Sequence, residues 1–144
     1  RFTPSVLISD SLSDGTISET ELLNFNNSII TGNNISELEV DSKNFENKTV
    51  FLFKYCLLKY NKSFSNKELD KIFQNNIFLD SQKNLFAESS DDEYFLDTLS
   101  QAKDVGEMKT AINFPLDLRG KGRTEDKKPD LGAYEYFYEP ADKK

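Results

Sequence analysis

FNNSIIT at residues 25–31 decides the fold, because the chain repeats it: FKYCLLK stands at 53–59, FQNNIFL at 73–79 and, more weakly, TPSVLIS at 3–9. The copies start 22, 28 and 20 residues apart. Aligned, they put Leu7-Ile8, Ile29-Ile30, Leu57-Leu58 and Ile77-Phe78 in one column, preceded by Val6, Ser28, Cys56 and Asn76. A strand that recurs every 20 to 30 residues or so marks stacked coils, since each unit can bury its apolar side only against its neighbours. Each copy is therefore expected to be one short strand of an all-β solenoid. The loops between copies face solvent and change length at little entropic cost, which accommodates the uneven spacing.

Around the repeat, SDSLSDG at 9–15 is a run of turn-formers. TGNN at 31–34 offers Gly32 and Asn34 for the positive φ of a sharp corner. ISELEV at 35–40 alternates apolar and acidic residues, as a strand with one face in the core does, with Glu37 and Glu39 on one exposed face. DSKNFENK at 41–48 reads as an outer loop, and TVFLFKYCLLKY at 49–60 as strand on its β-branched and aromatic content. Leu69, Ile72 and Phe73 have helical spacing behind Ser65 as a possible N-cap, so a short helix or turn is expected to project there. After Leu79 the repeat stops. Residues 1–80 are thus expected to be coils, and 81–144 a cap and tail of the same solenoid.

Composition narrows the partners. A net charge of −7 and a pI near 4.7 argue against a nucleic-acid partner, which would want a basic face. The single cysteine, Cys56, excludes a disulfide framework and a thiolate metal cluster, and its column makes it a small inward-pointing residue. No histidine is present to activate it. No apolar stretch approaches the roughly 20 residues of a membrane-spanning helix. The chain opens on Arg1 without a charged and apolar leader, so a targeting segment is expected to lie outside these residues. A few coils leave open ends, which points to an N-terminal remainder of the same protein as the first partner.

The tail carries five short motifs in order: NLF at 84–86, YFL at 94–96, SQAKDVG at 100–106, DLRGKGR at 117–123 and PDLGAYEY at 129–136. Asp117, Arg123 and Asp130 place opposite charges on loops that contain Gly120, Gly122 and Gly132, so an arginine fork between carboxylates is expected to tie a loop back on the last coil. AYEYFY at 133–138 alternates well enough for a final strand, with Tyr134 and Tyr136 covering the open end of the core. The alternative use of this stretch is a sugar-stacking platform built from Tyr136 and Tyr138.

In these motifs the chain resembles the C-terminal region of the right-handed parallel β-helix repeat proteins common at the surface of Bacteroidetes bacteria, which share the pectate-lyase-like fold. Such proteins end in segments of the type PLF, DFxL, SPAIDAG, DxxGxxR and PDIGAYEY, and NNSIITGNNISEL at 26–38 is similar to their NSIIxGN coil. Gln101, Lys103 and Asn84 depart from the pattern. The resemblance implies a right-handed parallel β-helix, here its C-terminal coils and terminal cap, at an extracellular or outer-membrane surface. It also implies glycan or surface-protein partners.

Catalysis finds no constellation here. A glycoside hydrolase needs two carboxylates facing each other at about 5 to 9 Å, whereas Asp91, Asp92 and Glu93 are consecutive in a loop. There is no nucleophile with a base, no phosphate loop and no metal spacing, so no catalytic, metal or cofactor residue is expected. The reading is a non-catalytic scaffold or binding module. The alternative is the terminal part of a carbohydrate-active β-helix enzyme, a polysaccharide lyase or glycoside hydrolase, whose active site lies on other coils.

Overall fold

The copies at 25–31, 53–59 and 73–79 each fold as the end of one strand, a corner, and a second strand of two residues, rather than as the single strand expected, whereas TPSVLIS holds one strand. The structure is a computed structural model that describes residues 3–9, 14–16, 22–41, 50–65, 67–79, 84–87 and 94–137. It is mostly strand with little helix, an all-β chain with several parallel sheets, and divides into two compact units, Arg1–Ser81 and Gln82–Lys144.

In the first unit β2 (Leu22–Asn26), β5 (Val50–Lys54) and β7 (Phe73–Gln74) form one sheet, and β3 (Ile29–Ile30), β6 (Leu57–Leu58) and β8 (Ile77–Phe78) a second. β1 (Val6–Ser9) and β4 (Leu38–Asp41) form a two-stranded third. Every pairing is parallel. The chain passes through these sheets in one order, β1-β2-β3 and then β4-β5-β6, and re-enters two of them as β7 and β8. Leu22 faces Val50 and Ile29 faces Leu57, a shift of 28 residues in both sheets. Phe53 faces Phe73 and Leu57 faces Ile77, a shift of 20 in both. Ile29-Ile30, Leu57-Leu58 and Ile77-Phe78 are therefore neighbours, as their alignment in sequence requires.

The first copy does not join that column. Val6, Leu7 and Ile8 pair with Leu38, Glu39 and Val40, because TPSVLIS enters the sheet of β4 and its partner is ISELEV. The corners also move. Neither Gly32 nor Asn34 has positive φ; the left-handed residues within the repeat are Asn27, Tyr55 and Asn75, at φ 47°, 51° and 55°, at the same point of the three copies that begin with phenylalanine. Asparagine adopts this conformation more readily than other residues with a Cβ, which suits Asn27 and Asn75, while Tyr55 takes it against its preference. The next side chain in each pass secures the bend. Ser28 Oγ donates to Asn26 O (2.9 Å), the Cys56 thiol to Lys54 O (3.3 Å), and Asn76 spans two passes, accepting from Cys56 N (2.8 Å) and donating to Phe53 O (2.7 Å).

Stacking in register builds a phenylalanine column. The rings of Phe25 and Phe53 lie 4.8 Å apart and 7° from parallel, and Phe73 follows at 5.7 Å. Strand spacing is about 4.8 Å, so equivalent side chains of parallel neighbours meet face to face. Phe53, Cys56, Leu57 and Leu58 are fully buried, and Ile8, Ile30, Leu38, Phe51, Tyr60, Leu69, Ile72 and Leu79 join them in the core. Burial pushes the Cys56 thiol up from its usual range, away from thiolate chemistry.

Where β4 leads the second pass, the third has helix. Asn61 caps a 3-10 turn (Lys62–Phe64) by accepting from Ser63 N at 2.9 Å, and α1 (Lys67–Asp70) follows. Ser65 Oγ donates to Asp70 Oδ1 (2.6 Å). Leu69 and Ile72 turn into the core as their spacing suggests, but Phe73 is already strand.

The second unit has little regular structure: antiparallel bridges join Phe86 to Leu96 and Leu116 to Gly122, and α2 (Met108–Asn113) was not foreseen among turn-rich residues. Leu85, Leu96, Ala102, Ala111 and Leu131 are its buried apolar residues. Three of them lie in the tail motifs NLF, YFL and PDLGAYEY, and Ala102 in SQAKDVG.

Candidate functional site

The tail motifs converge on buried charge. Leu131 N donates to Ala102 O (2.9 Å), Gly106 N to Pro129 O (2.7 Å) and Asp104 N to Asp130 Oδ1 (2.7 Å), so SQAKDVG and PDLGAYEY lie side by side. DLRGKGR folds over them: Asp117 N donates to Lys121 O, and Gly120, at φ 78°, closes that turn. Asp117, Asp130 and Glu135 are all buried.

Each carboxylate is spent on backbone. Asp117 Oδ1 accepts from Arg119 N and Lys121 N, both at 2.8 Å, and its Oδ2 from Glu135 N at 2.9 Å. Asp130 Oδ2 accepts from Tyr136 N at 2.5 Å, and Glu135 accepts from Asp130 N at 3.2 Å. Arg123 does not pair with Asp117 or Asp130, the partners its position suggests. Its Nη1 meets Glu135 Oε1 at 2.9 Å, and its Nη2 donates to Gly132 O and Ala133 O, both at 3.0 Å. The final strand expected over 133–138 is absent from the described part, 133–137, for the same reason. The N–H groups of Glu135 and Tyr136 and the carbonyls of Gly132 and Ala133 are taken by side chains, which leaves no ladder to form. Gly132, at φ 91°, bends the chain there, and Glu135 rather than a tyrosine points inward.

The charges respond to these surroundings. Burial acts to raise Asp117, but three N–H donors and the Arg123 guanidinium outweigh it and hold the carboxyl below its usual range. Burial raises Asp130, with Asp104 and Asp126 adding to the effect. Burial and the neighbouring Asp130 charge push Glu135 up to about 7, against the opposing pull of Asp130 N and Arg123.

Tyr134 packs on Phe95, centroids 4.6 Å apart. Tyr136 is half-buried; its hydroxyl lies 3.3 Å from Thr98 Oγ1, and the Lys103 ammonium covers one ring face at 3.5 Å. Only its other face is left for a stacked sugar. Tyr138, Asp91, Asp92 and Glu93 lie outside the described residues.

Glu37, expected on the surface beside Glu39, is instead buried, with 2% of its surface exposed. Its carboxylate accepts from Ser5 N (2.9 Å), Ser5 Oγ (2.7 Å), Asn34 N (2.7 Å) and Asn34 Nδ2 (3.1 Å). Burial alone would raise its pKa, but these donors bring it to about 2. Gly32 is glycine for this reason: a Cβ there would stand 2.3 Å from Glu37 Oε1. Ile35 is correspondingly turned out, 79% exposed. Beyond this turn a groove of about 630 Å³ is lined by Pro4, Asn34, Ile35, the whole of β4, Tyr60 and Leu69.

Sequence reasoning misplaced Glu37 on the surface and overlooked Glu135. Asn34 three residues before Glu37 is a local signal for a carboxylate that reaches back to its own turn; Glu135, between two tyrosines, carries none. Among the described residues no group of three His, Cys, Asp or Glu could hold a metal ion, and no helix is long and apolar enough to cross a membrane. Compared with known proteins, the chain matches no family model, no curated protein and no solved structure.

Proposed function

We propose that this chain belongs to a right-handed parallel β-helix and acts as a non-catalytic scaffold or binding module at a bacterial cell surface, with glycans or surface proteins as partners. The observation that carries the reading is the repeated order β1-β2-β3, β4-β5-β6 through three parallel sheets, two of which share the same register shift. That is the connectivity coils of a β-helix have, and few other folds return to the same parallel neighbours in this way. The non-catalytic part is supported by how the buried carboxylates are used: Glu37, Asp117 and Asp130 hold backbone N–H groups, and Glu135 is matched to Arg123, so each already has a structural task.

Incubation with a panel of plant, bacterial and host polysaccharides tests it. The expected result is retention of the protein on at least one intact polymer without new reducing ends or unsaturated products. Cleavage by the purified chain would overturn the scaffold reading in favour of a lyase or hydrolase.

A further inference from the structure

Two of the three parallel sheets have three strands, and the sheet of β1 and β4 has two. The third pass supplies β7 to the edge of β5 and β8 to the edge of β6, but beside β4 it offers the four-residue helix α1. One edge of β4 is consequently hydrogen-bonded to β1 and the other to no strand among the described residues. Val6 N donates to Glu37 O at 2.9 Å, with Val6 opposite Leu38. Alternate residues of a parallel strand direct their N–H and C=O to opposite edges, so those of Leu38 and Val40 point away from β1. Leu38 O is satisfied by Ser36 Oγ at 2.9 Å, which, among the described residues, leaves Leu38 N–H and both groups of Val40 along the unpaired edge.

The groove lies along this edge. All four β4 residues line it, Leu38 and Val40 that point inward as well as Glu39 and Asp41 that point outward, and a cleft that touches both sets must follow the strand's edge rather than a face. Its other wall includes Tyr60 and Leu69. At about 630 Å³ it falls within the range of ligand-sized clefts, roughly 300 to 1,000 Å³.

We propose that the unpaired edge of β4 is a strand-addition site for an extended peptide segment of a protein partner, in which apolar residues alternate with lysine or arginine. Side chains of an added strand point the same way as those beside them. The segment's inward residues would meet Leu38, Val40, Tyr60 and Leu69, and its outward residues Glu39 and Asp41, which calls for cations there. A second copy of this chain is disfavoured, because pairing β4 with β4 would bring Glu39 and Asp41 against their own like charges. The inference names a partner class for the binding module proposed above, but its support is the unpaired edge of β4, the groove along it and the charges of Glu39 and Asp41.

Selection from a random peptide library with the folded chain as bait tests it. Enriched peptides should alternate apolar and basic residues over about five or six positions and lack proline. Binding should protect the Val40 amide from hydrogen exchange. Val40→Pro deletes an N–H that β1 does not use, and proline is tolerated on such an edge, so this variant should keep its fold and bind at least about tenfold more weakly. Should it unfold, Glu39→Lys with Asp41→Lys, both exposed, serves instead and should turn the preference from basic to acidic peptides. Enrichment of nothing above background, or of proline-rich or helical peptides, overturns the proposal. So does binding that leaves Val40 exchange unchanged. None of these results bears on polysaccharide retention or cleavage, so the scaffold reading stands or falls separately.

Discussion

Replacing Arg123 by alanine removes the group around which the second unit closes, and the loss should depend on pH. The guanidinium pairs with Glu135 at 2.9 Å and holds the carbonyls of Gly132 and Ala133 at 3.0 Å. The paired side chains are 12% and 6% exposed, so the pair is close to buried. Removing one partner of such a pair costs about 3 to 5 kcal/mol, because the other charge stays behind unpaired. Glu135, however, has a remedy: its pKa is raised to about 7, and as a neutral acid it needs no counter-charge. A carboxyl whose folded pKa is raised contributes stability that is fully present below the unfolded value, near 4.5, and is lost as pH rises through about 7. In Arg123→Ala Glu135 also loses the guanidinium that pulls its pKa down, so it stays neutral to higher pH and the penalty should rise toward its full value only as the solution becomes alkaline. At about pH 5, where Glu135 is protonated, it should shrink to the two lost carbonyl bonds, about 1 to 2 kcal/mol. Urea unfolding followed by near-UV dichroism of the tyrosines, with amide exchange at Glu135 and Tyr136, measures both. A loss independent of pH, or no loss at either pH, would refute the latch.

Four further outcomes follow from the first unit. Glu37→Ala strands the donors of Ser5 and Asn34 and should cost about 2 to 4 kcal/mol by thermal melting. In the unaltered protein Glu37, lowered to about 2, adds stability that is present above about pH 4.5 and is lost as pH falls toward 2, so acid should loosen this unit, whereas protonating the buried Glu135 below about pH 7 favours the fold of the second unit even as it ends the Arg123 ion pair. Phe53→Ala should cost about 3 to 5 kcal/mol in urea midpoint, since its ring is fully buried between Phe25 and Phe73. Tyr55→Asn should gain about 0.5 to 1 kcal/mol in the same titration, because φ 51° strains a tyrosine and suits asparagine, as at Asn27 and Asn75.

The repeat was legible because stacking demands like residues at like positions: phenylalanine opens three copies and an apolar pair closes them. What the pattern concealed was the corner inside each copy. Strand periodicity does not distinguish a continuous strand from two strands joined by one left-handed residue, and Tyr55 hides the asparagine signal that Asn27 and Asn75 carry. TPSVLIS shares the column's composition but not its phase, so only the register with β4 shows where it pairs. At the tail, Arg123 was visible as a fork and its partner was not. Glu135 stands in an alternating run whose tyrosines draw attention as the buried face, while the backbone there is held by Asp117, Asp130 and Arg123 and alternation has no ladder to follow.

The central claim is that successive passes stack in parallel with fixed register. Through-hydrogen-bond couplings in NMR test it bond by bond. The account predicts couplings from Leu57 N to the Ser28 carbonyl and from Ile77 N to the Cys56 carbonyl, matching hydrogen bonds of 2.9 and 2.8 Å. It also predicts one from Val6 N to the Glu37 carbonyl. Couplings that join these segments in antiparallel order, or that set Leu7 and Ile8 against Ile29 and Ile30, would contradict it.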